Sequence, residues 1–415
     1  APLFRPLAHP SSPCYVAGEP PLGRFARRIS AFTLAVMVLA ATTHLALFAA
    51  AWLAMGLTMA SLIGHVRGWP QAQAAGSLAR RYFIASGLLV GFAGGAFWLE
   101  TGATTLSGVA DDAAALSGTT TLVVVGALVL AAMIQSGLLP FHTWLLSSMT
   151  APTPASALMH AGFVNAGGIL LTRFAPVFAD SVTLMTAVLV VGATSALLGK
   201  LLKSVQATVK RRLCCSTIGQ MGFMLLQVGL GFFAAALTHL VLHGFYKAYL
   251  FLSAGDQVDQ KSPHASASPS VGALDILAIA VTAVLGGGVF AFLTGKGTAA
   301  DSGLLLVLFV VLTTMHAARD VLSYSSLGPA VRYSAVPLVA VPAIAVYAAA
   351  YEAIAALLSG LPVVTAPTAL TPVHWPVAAA LVAAYAALEL GAYTRMQRLS
   401  AARPNVAHTA ARTLL

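Results

Sequence analysis

The sequence predicts an all-α polytopic membrane protein, a bundle of about twelve transmembrane helices of which at least one is broken. Three observations predict it. Hydrophobic residues make up 59% of the chain and charged ones only 8%, with a mean hydropathy of +0.87, far above the values of soluble domains. Apolar runs of about 20 residues, the length that crosses a bilayer, recur along the whole chain. The basic residues between those runs fall almost entirely on one side of the membrane, as the positive-inside rule requires. The 36 glycines suit helices whose backbones pack closely in lipid.

In order, the runs predict spans near 25–41, 45–64, 82–100, 118–138, 155–175, 182–202, 213–230, 233–254, 271–293, 303–318, 334–358 and 374–393. The first two are separate, because a single helix of about forty residues would reach roughly 60 Å, twice the hydrocarbon thickness. Thr42, Thr43 and His44 are the expected turn. Pro140 is expected to end or kink the fourth span, and Pro152 and Pro154 to start the fifth at its first turn, where a missing N–H costs nothing. With the N-terminus inside, every Lys and Arg except Arg173, Lys296 and Lys247 lies on the inner side, while Glu100, Asp111, Asp112, Asp180 and Asp301 lie outside. This orientation places both ends of the chain in the cytoplasm. Residues 1–24 form an irregular, Pro-rich segment, 25–393 the membrane domain and 394–415 a basic cytoplasmic tail. No signal-peptide pattern precedes the first span, so the chain is read as trimmed or as lacking earlier spans. Gln257–Ser270, with His264, reads as a mobile inner loop.

Composition also excludes. A formal charge of +10 in so apolar a chain is a topology signal and no footprint of nucleic acid. Cys14, Cys214 and Cys215 form no C-x-x-C pattern and no zinc spacing, so redox and metal chemistry are not expected here. There is no G-x-S-x-G, P-loop or zinc motif. No enzymatic motif and no cofactor of its own are expected in this chain.

The sharpest chemical signal is His239-Leu-Val-Leu-His243-Gly-Phe-Tyr-Lys247. Its three titratable groups, at i, i+4 and i+8, share one helix face at roughly 6 Å per turn. An ionisable group at membrane depth costs about 2.5 to 3.5 kcal/mol or more, so three in one helix read as part of a proton or cation path. The alternative is a pair of neutral, hydrogen-bonded histidines with a lysine snorkelling from the helix end. A second polar group surrounds the prolines: Gln135, His142, Thr143, Ser156 and His160. Irregular backbone at membrane depth is tolerated only inside protein or beside a watery cavity; the plain alternative is a cytoplasmic loop, with His160 a packed donor.

Leu139-Pro140-Phe141-His142-Thr143-Trp144-Leu145, Ala151-Pro152-Thr153-Pro154-Ala155-Ser156-Ala157-Leu158, His160-Ala161-Gly162, Val209-Lys210-Arg211, Ser216 through Met224 and His239 through Phe251 together resemble the proton-antiporter-type membrane subunits. That family includes the large antiporter-like chains of respiratory complex I, multisubunit cation antiporters and the DabB-type subunit of bacterial inorganic-carbon pumps. Two departures separate the chain from complex I. Where those chains have a W-E pair there is Trp52-Leu53, and where they have a lysine five residues before the L-P proline there is Gln135. The resemblance to complex I fades after Phe251, and HAG-F-V-N-A-G-G (His160 to Gly168) looks most like the DabB-type subunit.

The resemblance implies an antiporter-like bundle in a bacterial inner membrane, with an ion path through Lys247, His243, His239, His160, Gln135 and His142. It implies a large DabA-type partner that carries a carbonic-anhydrase-like zinc, with membrane lipids around the complex and a dimer of heterodimers as one assembly. The function it implies is uptake of CO2 or bicarbonate driven by a proton or sodium gradient. The alternative is a proton-translocating subunit of an NADH-quinone oxidoreductase or membrane hydrogenase. Of the later acids Asp275, Glu352 and Glu389, each is read as a counter-charge to Lys247 or to a partner's cation, or as an interface residue facing the large partner, with Glu352 placed first and added to the ion path; Asp275, early in its helix, is expected to cap it or face the inner surface.

Overall fold

The computed structural model describes residues 22–113, 116–206, 208–253, 272–299, 301–322, 329–360 and 370–389. The irregular N-terminal segment up to residue 21, the 254–271 loop with its His264, and the basic tail lie outside the described residues. Helix occupies each of the twelve expected ranges: α1 Leu22–Ala41, α2 Leu45–Ile63, α3 Pro70–Thr101, α4 Leu106–Asp111, α5 Gly118–Gln135, α6 Thr143–Ser147, α7 Thr153–Ala161, α8 Ala166–Arg173, α9 Ala175–Phe178, α10 Val182–Ser204, α11 Val209–Gly229, α12 Phe233–Leu252, α13 Ala273–Thr294, α14 Gly303–Leu322, α15 Pro329–Leu357 and α16 His374–Glu389. Among the described residues, seven spans are long and apolar enough to cross a membrane by themselves, α7 and α8 counting as one.

Two compact units divide the chain. The first contains α1 to α11 and residues 239–252 of α12; the second contains residues 230–238 and α13 to α16.

In the first unit α1 and α2 are joined at Thr42–His44, as expected, and the turn is tied down by backbone bonds from Leu45 to Thr104 (2.9 Å) and from Leu106 to Thr43 (2.8 Å). The α3 helix is longer than the span expected at 82–100. It starts at Pro70 and runs 32 residues, about 48 Å. Its extra turns form because Pro70 sits at the helix start and Ala72, Ala75, Gly76 and Ala79 continue the buried stripe of Phe83, Ser86, Gly87 and Val90.

The end of α5 corrects the role expected for Pro140. Gly137 adopts φ +62°, with Leu138 N–H bonded to Met133 O (2.9 Å) and Gly137 N–H to Ile134 O (3.2 Å). This left-handed glycine stop ends the helix at Gln135, before the proline is reached. The fifth span also differs from the continuous helix expected after Pro154. It breaks between α7 and α8, where Phe163–Asn165 form one 3-10 turn. Almost all of its side chains are buried. At its far end the Arg173 guanidinium donates to the carbonyls of Leu39 (3.2 Å), Ala40 (2.5 Å) and Thr42 (2.8 Å), a cation on the orphan acceptors of the α1 C-terminus.

The α10–α11 pair packs backbone against backbone. A Cβ on Gly192 would meet Leu226 N at 2.3 Å, one on Gly199 would meet Gly219 N at 2.4 Å, and one on Gly222 would meet Ala196 N at 2.4 Å. Only hydrogen fits at such crossings.

In the second unit, Ile279, Ala318, Leu322 and Val336 form a small core. Asp275 caps α13, accepting from Gly272 N–H (2.9 Å) and from the Tyr333 hydroxyl (3.0 Å).

On the α2–α3 turn, Arg28 Nη1 donates to Ser61 O (2.7 Å) and to His65 Nδ1 (3.2 Å). Arginine only donates, so His65 is neutral with its proton on Nε2. Burial, then the charges of Arg28 and Arg24, push His65 down from 6.5 to about 4. The unfolded chain gains this proton near pH 6.5 and the folded chain only near 4, so stability is full above 6.5 and declines as the pH falls through that window. In thermal melts of the detergent-solubilised protein, wild type loses more Tm over this window than His65→Gln. Gly222→Val, which forces α10 from α11, costs about 1–3 kcal/mol and lowers the Tm at neutral pH.

Candidate functional site

Three elements of the first unit build the site: the broken span α7–α8, the N-terminal half of α11 and residues 239–252 of α12. Lys247 is fully buried, and its ammonium donates to the Leu213 carbonyl at 3.0 Å. Among the described residues no carboxylate pairs with it. The Leu213 carbonyl also accepts from the Thr217 hydroxyl (3.0 Å). Thr217 Oγ1 in turn lies 3.1 Å from His160 Nδ1, and His160 Nε2 lies 3.2 Å from Cys214 Sγ. Phe251, one turn beyond Lys247, stacks flat on the His160 ring, with centroids 4.4 Å apart and planes at 9°.

One and two turns back along α12, His243 and His239 stack at 5.6 Å. His243 is 6% exposed and neither of its ring nitrogens bonds to a described protein atom; the same holds for His239 Nε2. Buried polar atoms are nearly always satisfied, so these nitrogens, with Asn165 Oδ1, are atoms of the site open to a further polar partner. From His239 to Lys247 the row extends about 12 Å, a large fraction of a hydrocarbon core about 30 Å thick. The break between α7 and α8 reaches this row: Asn165 Nδ2 donates to Ala161 O (2.7 Å) and, across the interface, to Leu240 O (3.4 Å).

Of the residues singled out from sequence, Lys247, His243, His239 and His160 come together. Gln135 is the last residue of α5, fully buried, and neither amide atom has a hydrogen-bond partner among the described residues. Its neighbours lock the turn: Ser136 Oγ donates to Val164 O (2.8 Å) and Trp144 Nε1 to Ile134 O (2.9 Å). His142 is buried at the start of α6. Glu352 is exposed on α15, in the second unit. Glu389 ends α16. Leu53 packs on α3, where a Cβ on Gly87 would come within 2.9 Å of its Cδ1.

Sequence reasoning missed Cys214, Thr217 and Asn165. The i, i+3 spacing of Cys214 and Thr217 placed them on one face of α11, but nothing in the sequence said that this face meets His160.

The family model described as NADH:quinone oxidoreductase/Mrp antiporter, TM matches residues 42–274, more than half of the chain, and the match takes in every element of this site. The chain belongs to that family. Among curated relatives it is 36% identical over 265 residues to "Probable inorganic carbon transporter subunit DabB1" of Halothiobacillus neapolitanus, covering 62% of this chain and 47% of the relative. It is 43% identical over 208 residues to "Probable inorganic carbon transporter subunit DabB" of Bacillus subtilis, covering 49% and 40%. A chloroplastic NAD(P)H-quinone oxidoreductase subunit 5 of Brachypodium distachyon is 35% identical over 258 residues, covering 59% and 34%. The chain thus spans about half or less of the length of these relatives. A chain in the Mrp complex of Dietzia sp. DQ12-45-1b shares the fold, with a TM-score of 0.55 at 21% identity, over 93% of this chain and 48% of that one. The chain is a multi-pass, antiporter-like membrane subunit.

If Lys247 is retained for chemistry and not for packing, an apolar side chain of similar length should fit at least as well, because it removes a buried charge that has no counter-ion. Lys247→Met is therefore expected to fold with an unchanged or higher Tm in detergent melts.

Proposed function

We propose that this chain is the ion-conducting membrane subunit of an energy-coupled inorganic-carbon uptake complex in a bacterial cytoplasmic membrane, with its termini on the cytoplasmic side. The observation that carries the reading is the row Lys247, His243 and His239, a fully buried amine without a carboxylate beside imidazole nitrogens that no described protein group occupies. Such a row costs several kcal/mol in a membrane interior and has proton or cation transfer as its plainest use. A charge falling through about 180 mV releases about 4 kcal/mol, roughly a thousand-fold in a coupled concentration ratio. That energy would drive CO2 hydration in one direction at a zinc site in a large partner subunit. The similarity to DabB subunits supports this choice of cargo.

The quinone-oxidoreductase reading has the similarity to subunit 5 chains in its favour. Against it stand Leu53 packed on Gly87 and the uncharged Gln135, which leave the front of the path without an acid–base pair.

The test is purification of the chain from its host in mild detergent, with mass spectrometry and zinc analysis of what accompanies it, followed by inorganic-carbon uptake in cells. The expected result is one large zinc-bearing partner, uptake abolished by uncouplers, and Lys247→Ala assembling normally without uptake. Flavin, iron–sulfur or quinone-site subunits, or wild-type uptake by Lys247→Ala, would overturn the proposal.

A further inference from the structure

The Cys214 thiol has one proton and three acceptors within reach: His160 Nε2 at 3.2 Å, Met149 Sδ at 3.7 Å and Leu145 O at 3.8 Å. Which one it serves follows from the other side of the imidazole. The Thr217 hydroxyl also has one proton and lies 3.0 Å from Leu213 O, which can only accept. With that proton committed, Thr217 Oγ1 is an acceptor for His160 Nδ1 at 3.1 Å, so Nδ1 carries hydrogen. A neutral imidazole carries one, which leaves a lone pair on Nε2, and the donor facing that lone pair is the Cys214 S–H. The reverse arrangement, with Nε2–H pointing at sulfur and Thr217 donating to Nδ1, takes the hydroxyl from Leu213 and leaves the thiol only its two longest contacts. The stacked Phe251 ring holds the imidazole in plane.

We propose that Cys214 is a positioning residue that holds His160 as the neutral imidazole protonated on Nδ1, so that His160 anchors the surroundings of Lys247 and does not carry transported protons. The Leu213 carbonyl receives both the Lys247 ammonium and the Thr217 hydroxyl. A carbonyl that accepts two hydrogen bonds has no proton to pass on, so the bonds from Lys247 and from His160 converge there and form no wire between them. A proton could reach Nε2 only after the thiol turned towards Met149 or Leu145, and the resulting imidazolium would share a buried site with Lys247. The titratable groups acting on His160 are Cys214 on α11 and Lys247 and His243 on α12. Transport then runs along the row Lys247, His243 and His239. That last step rests on the proposed function; the state assigned to Cys214 and His160 does not.

The test reads those two groups directly, in the full chain reconstituted in lipid nanodiscs at pH 7, with no transport assay. Infrared spectra of wild type minus Cys214→Ser isolate the Cys214 S–H stretch from those of Cys14 and Cys215, in a spectral window free of other protein bands. Histidine labelled with 15N reports the tautomer, and the imidazole whose signals respond to Cys214→Ser is that of His160. The expected result is an S–H band displaced to the low frequency of a thiol bonded to nitrogen, together with a neutral Nδ1–H pattern. Cys214→Ser, whose hydroxyl can also donate to Nε2, keeps that pattern, and Cys214→Ala shifts the Nε2 resonance towards that of a bare lone pair. An S–H band at the frequency of an unbonded thiol, an Nε2–H pattern or an imidazolium at pH 7 would each overturn the proposal.

Discussion

Backbone amides at membrane depth have no solvent to bond to, and this constraint organises the first unit. A span can be broken only where protein surrounds the break or a watery cavity adjoins it. The fifth span is broken at Gly162–Asn165 and is correspondingly buried along nearly its whole length. Its loose ends are taken up by particular groups: Ser136 Oγ on Val164 O, and the Asn165 amide on Ala161 O and Leu240 O. The break is therefore also a joint, since it is tied to the turn that ends α5 and to α12.

A second contact delivers the chemistry to that joint. The α10–α11 pair approaches so closely that glycine is required at several crossings. The opposite side of α11, carrying Leu213, Cys214 and Thr217, faces His160 and Lys247. The lysine is held by a carbonyl, with a hydroxyl, a thiol and an imidazole beyond it. A carboxylate in this place would pin the charge, whereas a carbonyl holds the amine in position and leaves it free to exchange a proton.

Much of this was legible in the sequence because hydropathy and charge are local quantities. Span positions, the turn at Thr42–His44, the helix start at Pro152–Pro154 and the shared face of His239, His243 and Lys247 all follow from spacing along one helix. The misread elements are those in which two signals compete. Pro140 drew attention as a helix breaker, but Gly137 ends α5 first, because a left-handed stop needs only one residue without a Cβ. The helix break at Gly162–Asn165 follows no proline and has ordinary composition, so periodicity alone ran straight through it.

By itself the sequence determined the class of the protein, its helix ranges and the titratable row on α12, since each depends only on residues within one helix or loop. Only the tertiary structure decided the partners of that row. The Lys247–Leu213 bond spans 34 residues and the His160–Cys214 contact 54. Both depend on how three helices pack. Packing is set by the shapes of many side chains and by glycine crossings elsewhere in the unit, and no spacing rule along one helix contains it.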